Sequence, residues 1–328
     1  MLPLRDSFGR VATDLRVSLT DRCNLRCSYC MPAEGLAWLP RDAVLTDDEV
    51  IRLITVAVER LGVRKVRFTG GEPLLRPNLE RIVAATASLG VSTALTTNGI
   101  SLARRAAALA GAGLQRVNVS LDTLSEDRYA AITRRPRLGD VLAGLRAAAD
   151  AGLAPVRVNA VLLRGINADE APALLEFCLE HGYELRFIEQ MPLDPMHSWD
   201  RDGFVTAEEI LAQLAARWSL TPLPDSRGGE PAETWLVDGG PARVGIIASM
   251  TRPFCAACNR TRLTADGQVR SCLFALDETD LRGAMRRGAD DGEIAALWQL
   301  AMAGKAAGHG VDDGGFRQPE RPMSAIGG

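Results

Sequence analysis

Hydrophobic and polar positions along the chain follow two alternating rhythms. Short apolar, β-branched runs occur at Leu15–Thr20, Lys65–Thr69, Ser92–Thr97, Arg116–Asp122, Pro155–Leu162 and Glu184–Met191, and these predict strands. Between them, Asp47–Leu61, Leu79–Leu89, Leu102–Ala112, Val141–Ala151 and Ala168–His181 carry apolar residues at the i, i+3, i+4 spacing of amphipathic helices. Strands alternating with helices imply a parallel sheet covered by helices. A complete eight-stranded barrel uses about 250 residues, whereas the six units end near residue 191. The expected class is therefore α/β, an open six-stranded partial (β/α) barrel over residues 1–191. From Pro192 to Pro241 the pattern loosens around one predicted helix, Thr206–Trp218. Residues 192–316 read as a smaller C-terminal domain packed beside the barrel, and 317–328 as a Gly-rich tail.

The C-terminal ends of the predicted strands are dense in polar residues and glycine: Thr20-Asp21, Gly70-Gly71-Glu72-Pro73, Thr96-Thr97-Asn98-Gly99, Ser120-Leu121-Asp122, Asn159 and Glu189-Gln190-Met191. One such end is an ordinary helix cap. Six converging on one face of a barrel make a site.

Composition narrows the class of partner. A formal charge of −3 argues against a general nucleic-acid binder or a membrane-surface protein. No run of about 18 apolar residues predicts a membrane span, and the start, Met-Leu-Pro-Leu-Arg-Asp, does not read as a signal peptide. Lysine occurs only at 65 and 305, so a phosphate site here would be largely a guanidinium site.

The seven cysteines fall at 23, 27, 30, 178, 255, 258 and 272. An odd number in two tight groups reads as metal-ligand usage in a reducing compartment, not a disulfide framework. Cys178 lies on an apolar helical face and reads as a buried structural thiol. Cys23, Cys27 and Cys30 have a Cys-x3-Cys-x2-Cys spacing. Thiolates select iron–sulfur clusters, zinc or copper, and a [4Fe–4S] cluster normally takes four, so three leave one iron open. A structural zinc loop, or three scattered core cysteines, is the plainer alternative. Cys255, Cys258 and Cys272 form a second group of three, with none of the histidines 181, 197 and 309 in that segment. A closed zinc site would need a partner from afar; a second cluster with an open iron fits better. Arg260 and Arg262 follow at alternating positions, so on an extended segment both face one way, toward an anion or toward solvent.

The first cysteine spacing, with Tyr29 before its last Cys, resembles the signature of radical S-adenosylmethionine (SAM) enzymes. With Gly-Gly-Glu-Pro at 70–73, Phe-Cys-x2-Cys-Asn-Arg-x-Arg-Leu-Thr-x-Asp-Gly at 254–267, Cys272-Leu-Phe and the terminal Gly327-Gly328, nearly the whole chain resembles the GTP 3′,8-cyclase family of molybdenum-cofactor biosynthesis. The resemblance implies two [4Fe–4S] clusters on the two cysteine groups. It implies SAM held at the first, with Tyr29 by the adenine, Gly70, Gly71 and Glu72 meeting the methionyl amino group, and Ser120 and Met191 at SAM-contacting positions. It implies GTP as substrate, its triphosphate among Arg16, Lys65, Arg67, Arg157, Arg186, Arg260 and Arg262 with Thr96 and Thr261, and its guanine at the second cluster. Arg157 stands where the family usually has Lys. Arg260, Arg262 and a tail ending in Gly327 and Gly328 are implied in turnover. The same resemblance implies a cytoplasmic homodimer, an external one-electron donor, and transfer of the product to cyclic pyranopterin monophosphate synthase. Two rival classes are a radical SAM enzyme acting on a peptide and a non-catalytic iron–sulfur electron carrier. The first has no need of the arginines, the second none of the Gly70–Pro73 turn.

Overall fold

A computed structural model describes residues 3–223 and 229–327. Its centre is six parallel strands in chain order, β3 (Asp14–Ser18), β4 (Lys65–Thr69), β5 (Ser92–Thr97), β6 (Arg116–Ser120), β7 (Val156–Val161) and β8 (Glu184–Ile188). The minor pair β1 (Leu4–Arg5) and β2 (Val11–Ala12) precedes them as a separate two-stranded sheet. The connecting helices are α1 (Asp47–Glu59), α2 (Leu79–Ala87), α3 (Leu102–Gly111), α4 (Glu126–Thr133), α5 (Leu138–Asp150) and α6 (Ala171–His181). Helix α1 starts where the sequence supplies a capping box: Thr46 Oγ1 accepts from Glu49 N at 3.2 Å, and Glu49 Oε2 accepts from Thr46 N at 2.8 Å.

Period-two alternation sorts each strand between two surroundings. Leu15, Val17, Val66, Phe68, Leu185 and Phe187 are buried in the apolar core. Burying a side chain such as Phe68 contributes about 1.5–3 kcal/mol. Asp14, Arg16, Arg67 and Arg186, one position away, face the interior of the barrel.

The C-terminal part departs from the expectation of a body beside the barrel. Its strands extend the same sheet at both edges, giving twelve strands among the described residues. After α7 (Ala207–Ala215), β9 (Leu220–Pro222), β10 (Glu233–Val237) and β11 (Arg243–Ile247) follow, with β11 pairing parallel to β8. On the other side β12 (Arg260–Leu263) pairs parallel to β3, followed by β13 (Gln268–Arg270) and β14 (Thr279–Asp280). The physical reason is the open barrel itself, whose first and last strands would otherwise leave their backbone donors and acceptors unpaired. Helices α8 (Leu281–Arg286) and α9 (Asp291–Ala303) close that side, and α10 (Met323–Ile326) carries the tail back inward. No helix of the described residues is long and apolar enough to cross a membrane.

Candidate active site

Three adjoining cavities lie within the barrel. Cys23, Cys27 and Cys30 line the first, together with Gly70, Gly71, Ser120 and Asp122. Cys255, Cys258 and Cys272 line another, with Phe254, Phe274 and His309. Between them is a central cavity walled by Arg16, Arg67, Arg186, Arg260 and Arg262. Tyr29, Ser120, Asp122, Thr96 and Met323 are shared between the first and central cavities; Met191, Phe254, Arg260 and Arg262 between the central cavity and the second cysteine group.

The first cysteine loop is docked by the turn after β4. Gly71 N donates to Thr20 O and Glu72 N to Arg22 O, both at 2.7 Å. A Cβ on Gly71 would lie 2.3 Å from Arg22 O and 2.4 Å from Asp21 O, and one on Gly70, at φ +150°, 2.5 Å from Thr20 O. These glycines are thus demanded by the approach of two backbones, in addition to any need of a ligand. Glu72 also differs from expectation. Its carboxylate is turned away from the cavity, accepting from Thr97 Oγ1 and Asn98 N at 2.7 Å and Leu74 N at 2.9 Å. Burial pushes its pKa up to about 7 despite those bonds. Glu72 therefore fastens the turn to β5, and the cavity wall at this point is Gly70 and Gly71.

Burial pushes the Cys23 thiol up to about 11 and Cys30 up to about 12, and raises Cys27 as well, with Glu72, Asp122 and the neighbouring thiols adding to the effect. Such thiols ionise when a cationic group takes them as ligands. Among the described residues no three His, Cys, Asp or Glu side chains converge to hold a single metal ion. Each triad instead lines the wall of a cavity, which suits a group wider than one ion. His309 reaches the second triad from outside its segment, yet its ring is committed. Val311 N donates to Nδ1 and Nε2 donates to Ser249 O, both at 3.1 Å. A fourth imidazole ligand is therefore not offered, and the donor set fits a cluster with one open position.

In the central cavity the charges are crowded. Strand register sets Arg262 beside Arg16, and Arg16 beside Arg67. Asp14, a residue the sequence reading passed over although it lies two before Arg16, accepts from Arg16 Nε at 3.1 Å. It faces Arg67 and Arg260 as well, and these cations hold its pKa down against burial. Burial first, then neighbouring arginines, lowers Arg67 and Arg260, brings Arg186 to about 10 and Arg262 to about 9. Arg67 Nε and Arg260 Nε and Nη2 are buried with no hydrogen-bond partner, as is Thr96 Oγ1. Buried donors of this kind are costly until an acceptor arrives, and a polyanion would satisfy them together. Phe254 stacks 4.6 Å from the Arg260 guanidinium and holds it in place.

Not every expected residue joins this set. Lys65 pairs with Glu230 at 3.0 Å and Arg157 with Glu184 at 2.7 Å, and neither lines the central cavity. Thr261 is a correction. Lying between Arg260 and Arg262 on β12, it points to the opposite face, fully buried, where its Oγ1 accepts from Trp298 Nε1 at 2.9 Å. Thr261→Val is expected to cost about 1–3 kcal/mol of stability by orphaning the indole N–H, with KM for the nucleotide unchanged; a raised KM at full folding would return Thr261 to the binding site. Met191 lines the central and second cavities, not the first. Tyr29 donates to Asp122 Oδ2 at 2.8 Å, and burial raises Asp122 to about 6.

The tail enters the barrel. Met323 lines the central cavity, Ile326 is fully buried, and Arg262 donates to Gly327 O. Gly328 lies outside the described residues.

Residues 17–178 match the Radical SAM superfamily and 183–311 match Molybdenum Cofactor Synthesis C. The GTP 3′,8-cyclase of Streptomyces coelicolor is 65% identical, over 99% of this chain and 96% of the relative. The chain belongs to the GTP 3′,8-cyclase family. Another member, the GTP 3′,8-cyclase 2 of Mycobacterium tuberculosis, is 60% identical over 99% of this chain and 92% of its own. The Streptococcus suis protein SuiB, solved bound to S-adenosylmethionine, shares the fold with a TM-score of 0.59 at 14% identity, over 88% of this chain and 68% of that one. The first triad and the Gly70-Gly71 turn lie within the Radical SAM match, and the second triad within the Molybdenum Cofactor Synthesis C match.

Proposed function

We propose that the chain converts GTP to (8S)-3′,8-cyclo-7,8-dihydroguanosine 5′-triphosphate, the first step of molybdenum-cofactor biosynthesis. The observation that carries this reading is the central chamber of five arginines, with donors of Arg67 and Arg260 unpartnered, set between two cysteine triads. In this reading Cys23, Cys27 and Cys30 would hold one [4Fe–4S] cluster and Cys255, Cys258 and Cys272 a second. Bound at the first triad, cluster and SAM supply an adenosyl radical able to take a hydrogen from carbon.

The chain's own residues do the rest. Arg16, Arg67, Arg186, Arg260 and Arg262 bind the triphosphate, which relieves their mutual repulsion and fixes the ribose toward the first triad. Arg260 and Arg262, reaching both the central chamber and the second cavity, leave the guanine on the second triad's side. Thr96 and Ser120 line the passage between chamber and first triad, where Tyr29, held by Asp122, walls the SAM side. Met323 and Gly327 close the mouth and exclude water. Lys65 and Arg157 belong to an outer ring, and Lys65 would exchange Glu230 for a phosphate. The reading also includes a cytoplasmic homodimer, an external one-electron donor, and cyclic pyranopterin monophosphate synthase as recipient of the product.

The test is anaerobic. The reconstituted chain receives SAM, a strong reductant and GTP deuterated at the ribose 3′ carbon, and 5′-deoxyadenosine is weighed by mass spectrometry. Deuterium in 5′-deoxyadenosine is the expected result. SAM cleavage without label would overturn GTP as substrate, and a fully loaded protein that cleaves no SAM would return the electron-carrier class.

A further inference from the structure

Of the two lysines in the chain, Lys305 is sealed in the interior, 3% exposed, just beyond the end of α9. Its Nζ donates to Arg260 O at 2.9 Å, to Cys258 O at 3.4 Å and to Cys258 Sγ at 3.2 Å. All three bonds go to the segment that carries the second triad, and none to a carboxylate. The two carbonyls fix the ammonium so that the remaining proton meets the sulfur, and the lysine brings a full positive charge to a cysteine otherwise expected to act only as a ligand. Arg10 reinforces the same loop by donating to Cys255 O at 2.7 Å.

The first triad differs at its sulfur: Arg26 donates to Cys23 O at 2.8 Å, as Arg10 does to Cys255 O, and no cation donates to Cys23 Sγ. Cys23 Sγ receives only neutral donors, Leu25 N at 3.4 Å and Asn98 Nδ2 at a long 3.9 Å. The Asp122 carboxylate lines the same cavity. Charge near a cluster and hydrogen bonds to its sulfurs are what set its potential, a cation favouring the reduced, more negative form.

We propose that Lys305 is a positioning residue acting through Cys258, where its ammonium raises the reduction potential of the second cluster above that of the first. This rests on the two-cluster reading above. Electrons entering the chain then come to rest at the second triad, beside the nucleotide, and reducing the first requires the stronger donor.

The experiment is an EPR-monitored redox titration of the reconstituted full chain, comparing the parent with Lys305→Gln, Lys305→Met and Lys305→Arg. Loss of the charge is expected to weaken reduction of the second cluster tenfold or more, roughly 59 mV toward negative potential for one electron. The first cluster's midpoint stays in place, and Lys305→Arg returns most of the shift. Unchanged midpoints in the Gln and Met variants at full iron content would overturn the proposal. So would equal shifts in all three variants, which would make geometry rather than charge the cause. A parent chain that loads only one cluster would instead remove the two-cluster reading, and the proposal with it, and iron analysis separates that case from the others.

Discussion

Gly71→Ala is expected to give a folded chain that holds roughly half the parent's iron and cleaves no SAM. The added methyl would lie 2.3 Å from Arg22 O and 2.4 Å from Asp21 O, both backbone atoms that no side-chain rotation can move aside. The turn must retreat, and the bonds from Gly71 N to Thr20 O and Glu72 N to Arg22 O, both 2.7 Å, go with it. Overpacking of this kind costs about 1–3 kcal/mol, and here the cost falls on the segment that presents Cys23. On the two-cluster reading proposed above, the second triad, on the far side of the central chamber, would keep its iron. A matched control is Gly111→Ala at the end of α3, where a Cβ meets nothing within 4 Å; that change should be neutral or slightly stabilising. Full iron content and normal SAM cleavage in Gly71→Ala would refute the docking role assigned to the glycine pair.

The second large effect concerns the tail. Gly327→Val, like deletion of Gly327 and Gly328, should bring cyclisation below about one-hundredth of the parent rate while both clusters assemble normally. Gly327 has φ +82°, a conformation β-branched residues do not adopt, and a Cβ would lie 2.4 Å from Thr69 Oγ1. Once displaced, the tail withdraws the Gly327 carbonyl from Arg262, leaving that guanidinium to swing away from its place beside Arg16. The tail is held from behind by Arg321, whose guanidinium meets Asp266 Oδ1 at 3.0 Å and Glu278 Oε2 at 2.7 Å, so a change at Gly327 alone acts locally. Iron content and SAM binding are measured alongside turnover. Normal turnover by either variant would show the tail to be a passive plug.

Much of the barrel and most of the site could be read from the residues, because both depend on short-range pattern. Six apolar runs gave the six central strands to within a few residues, and the arginines named through the resemblance include Arg16 and Arg67, which both line the central cavity. Period-two alternation, applied to β12, would have turned Thr261 to the core; the motif it belongs to drew attention away from its parity. Other features were beyond pattern. That β11 and β12 seal the two edges of the barrel depends on pairing across well over a hundred residues for β12 and β3, and no local signal encodes it. The reach of His309 and Lys305 to the second triad is likewise a matter of where the chain runs after α9, and an isolated Lys or His among glycines and alanines reads as surface. For Glu72 the motif suggested a ligand contact, and what it does not disclose is the three donors, Leu74 N, Thr97 Oγ1 and Asn98 N, that fasten the carboxylate to β5 and its own turn.

The pairing of β12 with β3 also bears on how the protein is made. The strands and turn that present Cys23, Cys27 and Cys30 are contributed by roughly the first third of the chain, so the first triad takes shape early, while the ribosome is still at work. Its neighbour strand on the other side, and with it Cys255, Cys258 and Arg262, does not exist until some 260 residues have emerged. Synthesis therefore delivers the residues of the first triad and its turn well before β12, the strand that closes the sheet edge at β3.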